Sequence, residues 1–288
     1  MLKRMLALIL CLCALGSFAF AEEPAEEPAA ESAEEAVAEP EGETAAEPAE
    51  TAAPVRDAET EELLGKFMLK HGSRAQKRVA ITVDDCYKTA AEWIRADVEL
   101  CKQYGIRMTF FPVVKTGCLT ADYRDLWQSV LDCGSEIGCH AYQHLRLGSF
   151  DHWTLVRRLG MWQESLDKTL GYHYQTRWLR PPYGSIDGGR KMNDKQVTAA
   201  LKRYGFDHII HWEVSETKNM EKALKDIQPG SILLFHSKKK DTHFLEQLIP
   251  ILQEQGHEMV TVSELFGFAP PETSEELYVY DRKNYENR

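Results

Sequence analysis

From Arg78 onward the chain alternates short apolar runs, rich in β-branched residues, with longer amphipathic segments. The runs are RVAITV (78–83), RMTFFPV (107–113), SEIGCH (135–140), RWLR (177–180), HIIHW (208–212), SILLF (231–235) and EMVTV (258–262). Runs of this length read as buried strands, and the segments between them, near 87–104, 122–133, 151–170, 193–204, 219–227 and 241–255, read as helices. Gly105, Gly171, Gly205 and Gly256 stand just past four of those helices, where a C-terminal glycine belongs. Strands that alternate with helices pair in parallel through right-handed crossovers. Periodicity leaves two architectures open, a doubly wound open sheet and a closed β/α barrel.

The polar residues favour the barrel. In a β/α barrel the chemistry gathers at the C-terminal ends of the strands. Here those ends carry Asp84 and Asp85, His140, Arg180, Trp212 and His236. In a barrel all of them face one mouth. The expected fold is therefore a distorted seven-stranded, TIM-like (β/α)7 barrel in a single catalytic domain.

Asp84 and Asp85 are adjacent like charges, which persist where each has a positive partner. His140 and His144 lie four apart in HAYQH, a spacing that puts both on one face of a helical turn and lets them grip one metal ion. One carboxylate added to them makes a two-histidine, one-carboxylate set with positions open for water and substrate. Arg180 opens RPPYG, where Pro181 and Pro182 stiffen the turn, and an arginine so held can keep a carboxylate ionised.

These stretches resemble the polysaccharide deacetylases of the NodB-homology type. TVDDC (82–86), HAYQH (140–144), RPPYG (180–184) and LFH (234–236) correspond, in order, to four of that family's motifs, and MTFFPV (108–113) is similar to its second strand. The resemblance covers about Val79 to Phe268. It implies that Asp85, His140 and His144 bind one divalent metal, commonly zinc or cobalt. It further implies that Asp84 is the general base, held ionised by Arg180, and that His236 is the general acid. The Tyr183 backbone N–H would help hold the oxyanion, and Leu234 would line the slot for the acetyl methyl. Three departures stand out: Cys86 in place of the family glycine, Ala141 in place of a serine or threonine, and no legible Asp-Trp motif. For that last motif only Trp212, in HWEVSETKN, offers itself, and no aspartate is evident to tune His236.

The expected activity is removal of N-acetyl groups from a glycan, peptidoglycan or a chitin-like polymer. An O-acetyl esterase and a catalytically silent glycan-binding module on the same scaffold are the alternatives. The amino-terminal residues point to an extracytoplasmic location. Lys3 and Arg4 precede an apolar stretch that ends in Ala19-Phe20-Ala21, the pattern of a cleaved secretory signal over residues 1–21. After cleavage no stable membrane span is expected. Residues 22–57 read as a disordered, dispensable Glu/Ala/Pro linker, residues 58–270 as the catalytic domain and 271–288 as a tail. Residues 22–50 hold 12 Glu and no Lys or Arg. That block accounts for the chain's net charge of −11 and leaves the domain nearly neutral, which argues against a nucleic-acid partner. The expected partner is an acetylated polysaccharide, and the sequence names no protein partner. Five cysteines follow the leader, an odd number, and Cys86 and Cys139 either pair as a disulfide or pack as small side chains.

Overall fold

A computed structural model describes residues 56–186 and 190–288. The leader and nearly all of the linker lie outside the described residues. Among those described, no helix is long and apolar enough to cross a membrane. In chain order the helices are α1 (Ala58–Leu64), α2 (Ala91–Tyr104), α3 (Arg124–Asp132), α4 (His152–Leu170), α5 (Asp194–Tyr204), α6 (Met220–Asp226), α7 (Lys239–Glu254), α8 (Val262–Leu265) and α9 (Lys283–Glu286). The strands are β1 (Met68–Leu69), β2 (Arg78–Asp85), β3 (Met108–Pro112), β4 (Glu136–Ile137), β5 (His173–Tyr174), β6 (Ile209–Ile210), β7 (Ile232–His236), β8 (Glu258–Met259) and β9 (Thr273–Ser274).

A central parallel sheet runs β4-β3-β2-β7. Single parallel bridges continue it from Cys139 to Leu179, from Leu179 to Ile209 and from Val214 to Leu233 on β7, which closes the ring. The architecture is thus the expected distorted β/α barrel, and all seven predicted runs contribute to it. The distortion has a visible cause at the bottom of the barrel. Glu258 N donates to Lys77 O (2.7 Å) and Arg107 N to Met259 O (3.2 Å), so β8 wedges between the starts of β2 and β3. Between β6 and β7, β1 pairs in parallel with β6, while Gly72 N donates to Gly230 O (2.8 Å) beside β7. Two short strands are thus inserted at the base of the barrel.

Three sequence expectations are corrected in detail. RWLR forms one bridge residue, Leu179, rather than a strand. EMVTV pairs only at Glu258 and Met259 before Thr261 caps α8. The segment from His140 to His144 is a loop, not a helical turn. All four glycines placed after helices take positive φ; Gly105 (62°) and Gly171 (90°) are the left-handed caps that end α2 and α4.

The core holds Val79, Ile81, Val83 and Phe110 from β2 and β3 against Ile94 and Val98 of α2 and Leu245 and Leu248 of α7. Full burial of each such side chain contributes ~1.5–3 kcal/mol before entropy is counted. Residues 271–288 also pack. β9 pairs antiparallel with β5, Tyr278 N donates to Asp167 Oδ2 (2.8 Å), and Tyr285 stacks on Tyr204.

One buried carboxyl matters for stability. Asp97 of α2 is 1% exposed and faces Thr242, Asp241 and Glu246 of α7. Burial pushes it up to about 8, with Asp241 and Glu246 adding to the rise and the Thr242 hydroxyl opposing it. The folded chain therefore keeps a proton that the unfolded chain releases near 4, and stability falls as pH rises from about 4 to 8. Asp97→Asn should raise the thermal midpoint at pH 8 by the equivalent of a few kcal/mol, with the gain shrinking towards pH 4. Chemical denaturation across that range checks this; an equal effect at both ends would refute it.

Candidate metal and catalytic site

The aspartate pair solves a geometric problem. Successive side chains on a strand point to opposite sides, so Asp84 and Asp85 reach one site only if the chain bends between them. It does. Asp85 takes φ 73° and Cys86 φ 48°, and Cys86 N donates to Asp84 O (3.0 Å), closing a three-residue turn. Non-glycine residues at positive φ cost about 1–2 kcal/mol each. The neighbouring loop secures the bend: Val113 N donates to Asp85 O (3.1 Å), and Cys118 donates to Cys86 O through both N (3.2 Å) and Sγ (3.1 Å). The other non-glycine residues at positive φ among those described are Ala141 and Tyr183, both at 64°. All four belong to this site, where stored strain is a common mark of function.

His140 is 2% exposed, and its Nδ1 lies 2.7 Å from the Arg180 carbonyl oxygen. A carbonyl can only accept, so Nδ1 carries the proton and Nε2 presents a lone pair. That Nε2 sits 3.7 Å from Asp85 Oδ1, and His144 Nε2 sits 3.5 Å from the same oxygen. Ligand atoms of Asp85, His140 and His144 all lie within 4.8 Å of one another. Asp85 Oδ1 is buried without a hydrogen-bond partner. A buried anionic oxygen so placed, between two imidazole nitrogens, fits a divalent cation. Burial, and then His140, depress the His144 basicity, which keeps its ring neutral and able to ligate. Tyr87 completes the wall. Burial first and the Asp85 charge second push its phenol up to about 12, so it stays a neutral donor.

Arg180 is completely buried and anchors the other aspartate. Its Nη1 donates to Asp84 Oδ1 (2.8 Å) and Thr82 Oγ1 (2.7 Å), its Nη2 to His211 O (2.9 Å), and its Nε to Ile210 O (3.4 Å). The guanidinium lies 4.6 Å from the Phe111 ring centroid and 5.8 Å from that of Trp212. Asp84 Oδ1 is thus occupied, while Oδ2 lies 3.8 Å from His140 Nε2, towards the metal set. Register brings the remaining candidates in. Asp84 is the direct partner of His236 across β2 and β7, and Thr82 that of Leu234. Leu234 and His236 therefore share one face of β7.

Tyr183 sits at the rim, 58% exposed. Its ring edge meets His144 at 4.5 Å between centroids, and its hydroxyl donates to His144 O (3.4 Å). Trp212 stacks on His211 at 4.2 Å, and His211 Nε2 donates to Gly184 O (2.7 Å). A Cβ on Gly184 would meet the Trp212 ring at 2.3 Å, which explains the glycine of RPPYG. Trp212 is accordingly a wall of the Arg180 and Gly184 pocket.

The expectation that no aspartate tunes His236 is corrected. Asp241 is 2% exposed, and its Oδ2 accepts from His236 N (2.9 Å) and stands 3.6 Å from His236 Nδ1. Burial raises its carboxyl, but the His236 contacts and Lys240 outweigh burial and hold it below the usual carboxylate range. It follows three exposed lysines, a run that reads as a solvated face, which hid it. Cys86 and Cys139 form no disulfide. The Cys86 thiol contacts Val83 O and the Cys139 sulfur accepts from Ala141 N (3.4 Å), so both pack as small side chains.

A parallel β/α barrel whose strand ends hold a two-histidine, one-carboxylate set beside an arginine-paired aspartate defines the class of protein. The family model for polysaccharide deacetylase matches residues 71–210. This region of the chain belongs to the polysaccharide deacetylase family. A peptidoglycan-N-acetylglucosamine deacetylase of Listeria monocytogenes is 26% identical over 205 residues, which cover 68% of this chain and 40% of that protein. Chitin deacetylase 1 of Saccharomyces cerevisiae is 26% identical over 209 residues, 65% of this chain and 64% of that one. The chain thus spans less than two thirds of either relative. A solved CE4 family pseudoenzyme of Bacillus anthracis has the same fold, with TM-score 0.59 and 21% identity over 69% of this chain and 68% of that chain.

Proposed function

We propose that this protein is an extracytoplasmic, metal-dependent hydrolase that removes N-acetyl groups from a glycan, with peptidoglycan the first candidate and chitin-like polymers the second. The observation that carries the reading is the division of labour between adjacent aspartates: Arg180 occupies Asp84 Oδ1, while Asp85 Oδ1 lies unpartnered between two histidines. A divalent cation held by Asp85, His140 and His144, zinc or cobalt by preference, would acidify water and polarise the amide carbonyl. Asp84 Oδ2 takes the proton of the attacking water. The Tyr183 N–H donates to the oxyanion as the carbonyl becomes tetrahedral. His236, with Asp241 against its Nδ1 side, delivers a proton to the departing amine. Leu234 packs against the acetyl methyl. The pseudoenzyme relative makes a silent glycan-binding module the rival reading, because a fold does not fix a function. The test is acetate release from N-acetylglucosamine oligomers by the purified protein, with zinc and after chelation. Metal-dependent acetate release, with a free amine on the product, is expected. Oligomer binding without acetate release under any divalent metal would establish the silent module instead. Acetate released only from O-acetylated glycans would establish the esterase.

A further inference from the structure

The five described cysteines are not equivalent. Cys86, Cys118 and Cys139 are buried, and burial pushes each thiol up, Cys118 to about 12. Such thiols are inert. Cys133 differs. It ends α3, is only partly buried, and its Sγ contacts Ser135 Oγ at 3.3 Å. The same hydroxyl lies 3.6 Å from Sγ of Cys101, which comes from α2 and is fully buried. Ser135 Oγ in turn accepts from Met108 N (3.1 Å), at the start of β3. Two sulfurs from different helices therefore converge on one hydroxyl at the base of the barrel, away from the mouth.

We propose that Cys133 and Cys101 form a thiol–disulfide exchange site, which takes small disulfides such as oxidised glutathione and ends as a Cys101–Cys133 cross-link. The Cys133 thiolate attacks one sulfur of the oxidant, whose S–S bond breaks and whose other half leaves as a thiolate. Cys101 then loses its proton to solvent and attacks the Cys133 sulfur, and the second half leaves. Two protein thiols are oxidised, one disulfide is reduced to two thiols, and the two protein protons end on those leaving groups through solvent. The electrostatics support this order. The Cys101 thiol, and after it Ser135, bring the Cys133 thiol down to about 6 against the opposing effect of burial, while Cys101 is pushed well up. The accessible sulfur is the ionised one at neutral pH, and the buried sulfur resolves.

The cross-link would close the loop that contains β3 and α3, so its expected consequence is stability rather than turnover. This inference does not depend on the deacetylase reading. The test uses the purified full chain, reduced, freed of reductant and treated with oxidised glutathione at pH 7. Its mass should fall by two hydrogen atoms. A mapped peptide should join Cys101 to Cys133, and the thermal midpoint should rise by about 5–10 °C, reversibly. Cys101→Ser should stop with glutathione on Cys133. Should that variant fail to fold, alkylation of the parent decides: Cys133 should label first, half-maximally near pH 6. A cross-link between Cys86 and Cys118, no cross-link at all, an unreacted Cys133 in folded Cys101→Ser, or half-maximal labelling near the ordinary thiol value of about 8.5 would overturn it.

Discussion

Asp84→Asn is expected to bind its divalent cation as the parent does and to release acetate ~10²–10⁴-fold more slowly, the usual size of a lost general base. Asp85→Asn is expected to lose cation and turnover together. The contrast follows from one turn of backbone. At φ 73°, Asp85 points its Oδ1 between His140 and His144, whereas Asp84 keeps its strand position opposite His236 with Oδ1 on Arg180. An amide at 84 still accepts from Arg180 but cannot take a proton from water. An amide at 85 replaces an anionic ligand with a neutral one, which hard cations bind poorly. Elemental analysis and acetate release on the two variants decide the matter. Metal lost from Asp84→Asn and kept by Asp85→Asn would exchange the two roles, and parent-like turnover in both would move the chemistry elsewhere.

The sequence made the barrel and most of this constellation legible because the chemistry is confined to strand ends, where a charged residue after a buried apolar run is hard to explain otherwise. Asp84, Asp85, Arg180 and His236 all follow that rule. What stayed hidden depends on backbone torsion or tertiary contact. β1 and the insertion of β8 at the base rest on two-residue pairings too short to carry a period. The loop that presents His140 and His144 depends on a positive φ at Ala141, which alanine does not advertise. Asp241 reaches His236 because α7 begins immediately after β7 and turns back over it, an arrangement masked by exposed lysines. Tyr87 gave no signal, since an aromatic residue after a strand is ordinarily core.

Arg180→Ala should be the most destabilising single change at the site. The side chain is buried, and its removal leaves Asp84 buried without its cation and two carbonyls, of Ile210 and His211, without a donor. Breaking a buried ion pair by deleting one member costs about 3–5 kcal/mol. For a domain of this size that lowers the thermal midpoint by roughly 10 °C. The cation should remain, because His140 is held by the Arg180 backbone carbonyl, which alanine retains. Stability loss alone could reflect any core arginine, so the decisive comparison is a double-mutant cycle. Combining Arg180→Ala with Asp84→Asn removes the stranded charge, and the pair should be more stable than the sum of its single changes predicts, by ~1–3 kcal/mol. Additive losses would mean that Arg180 merely fills the space between Phe111 and Trp212.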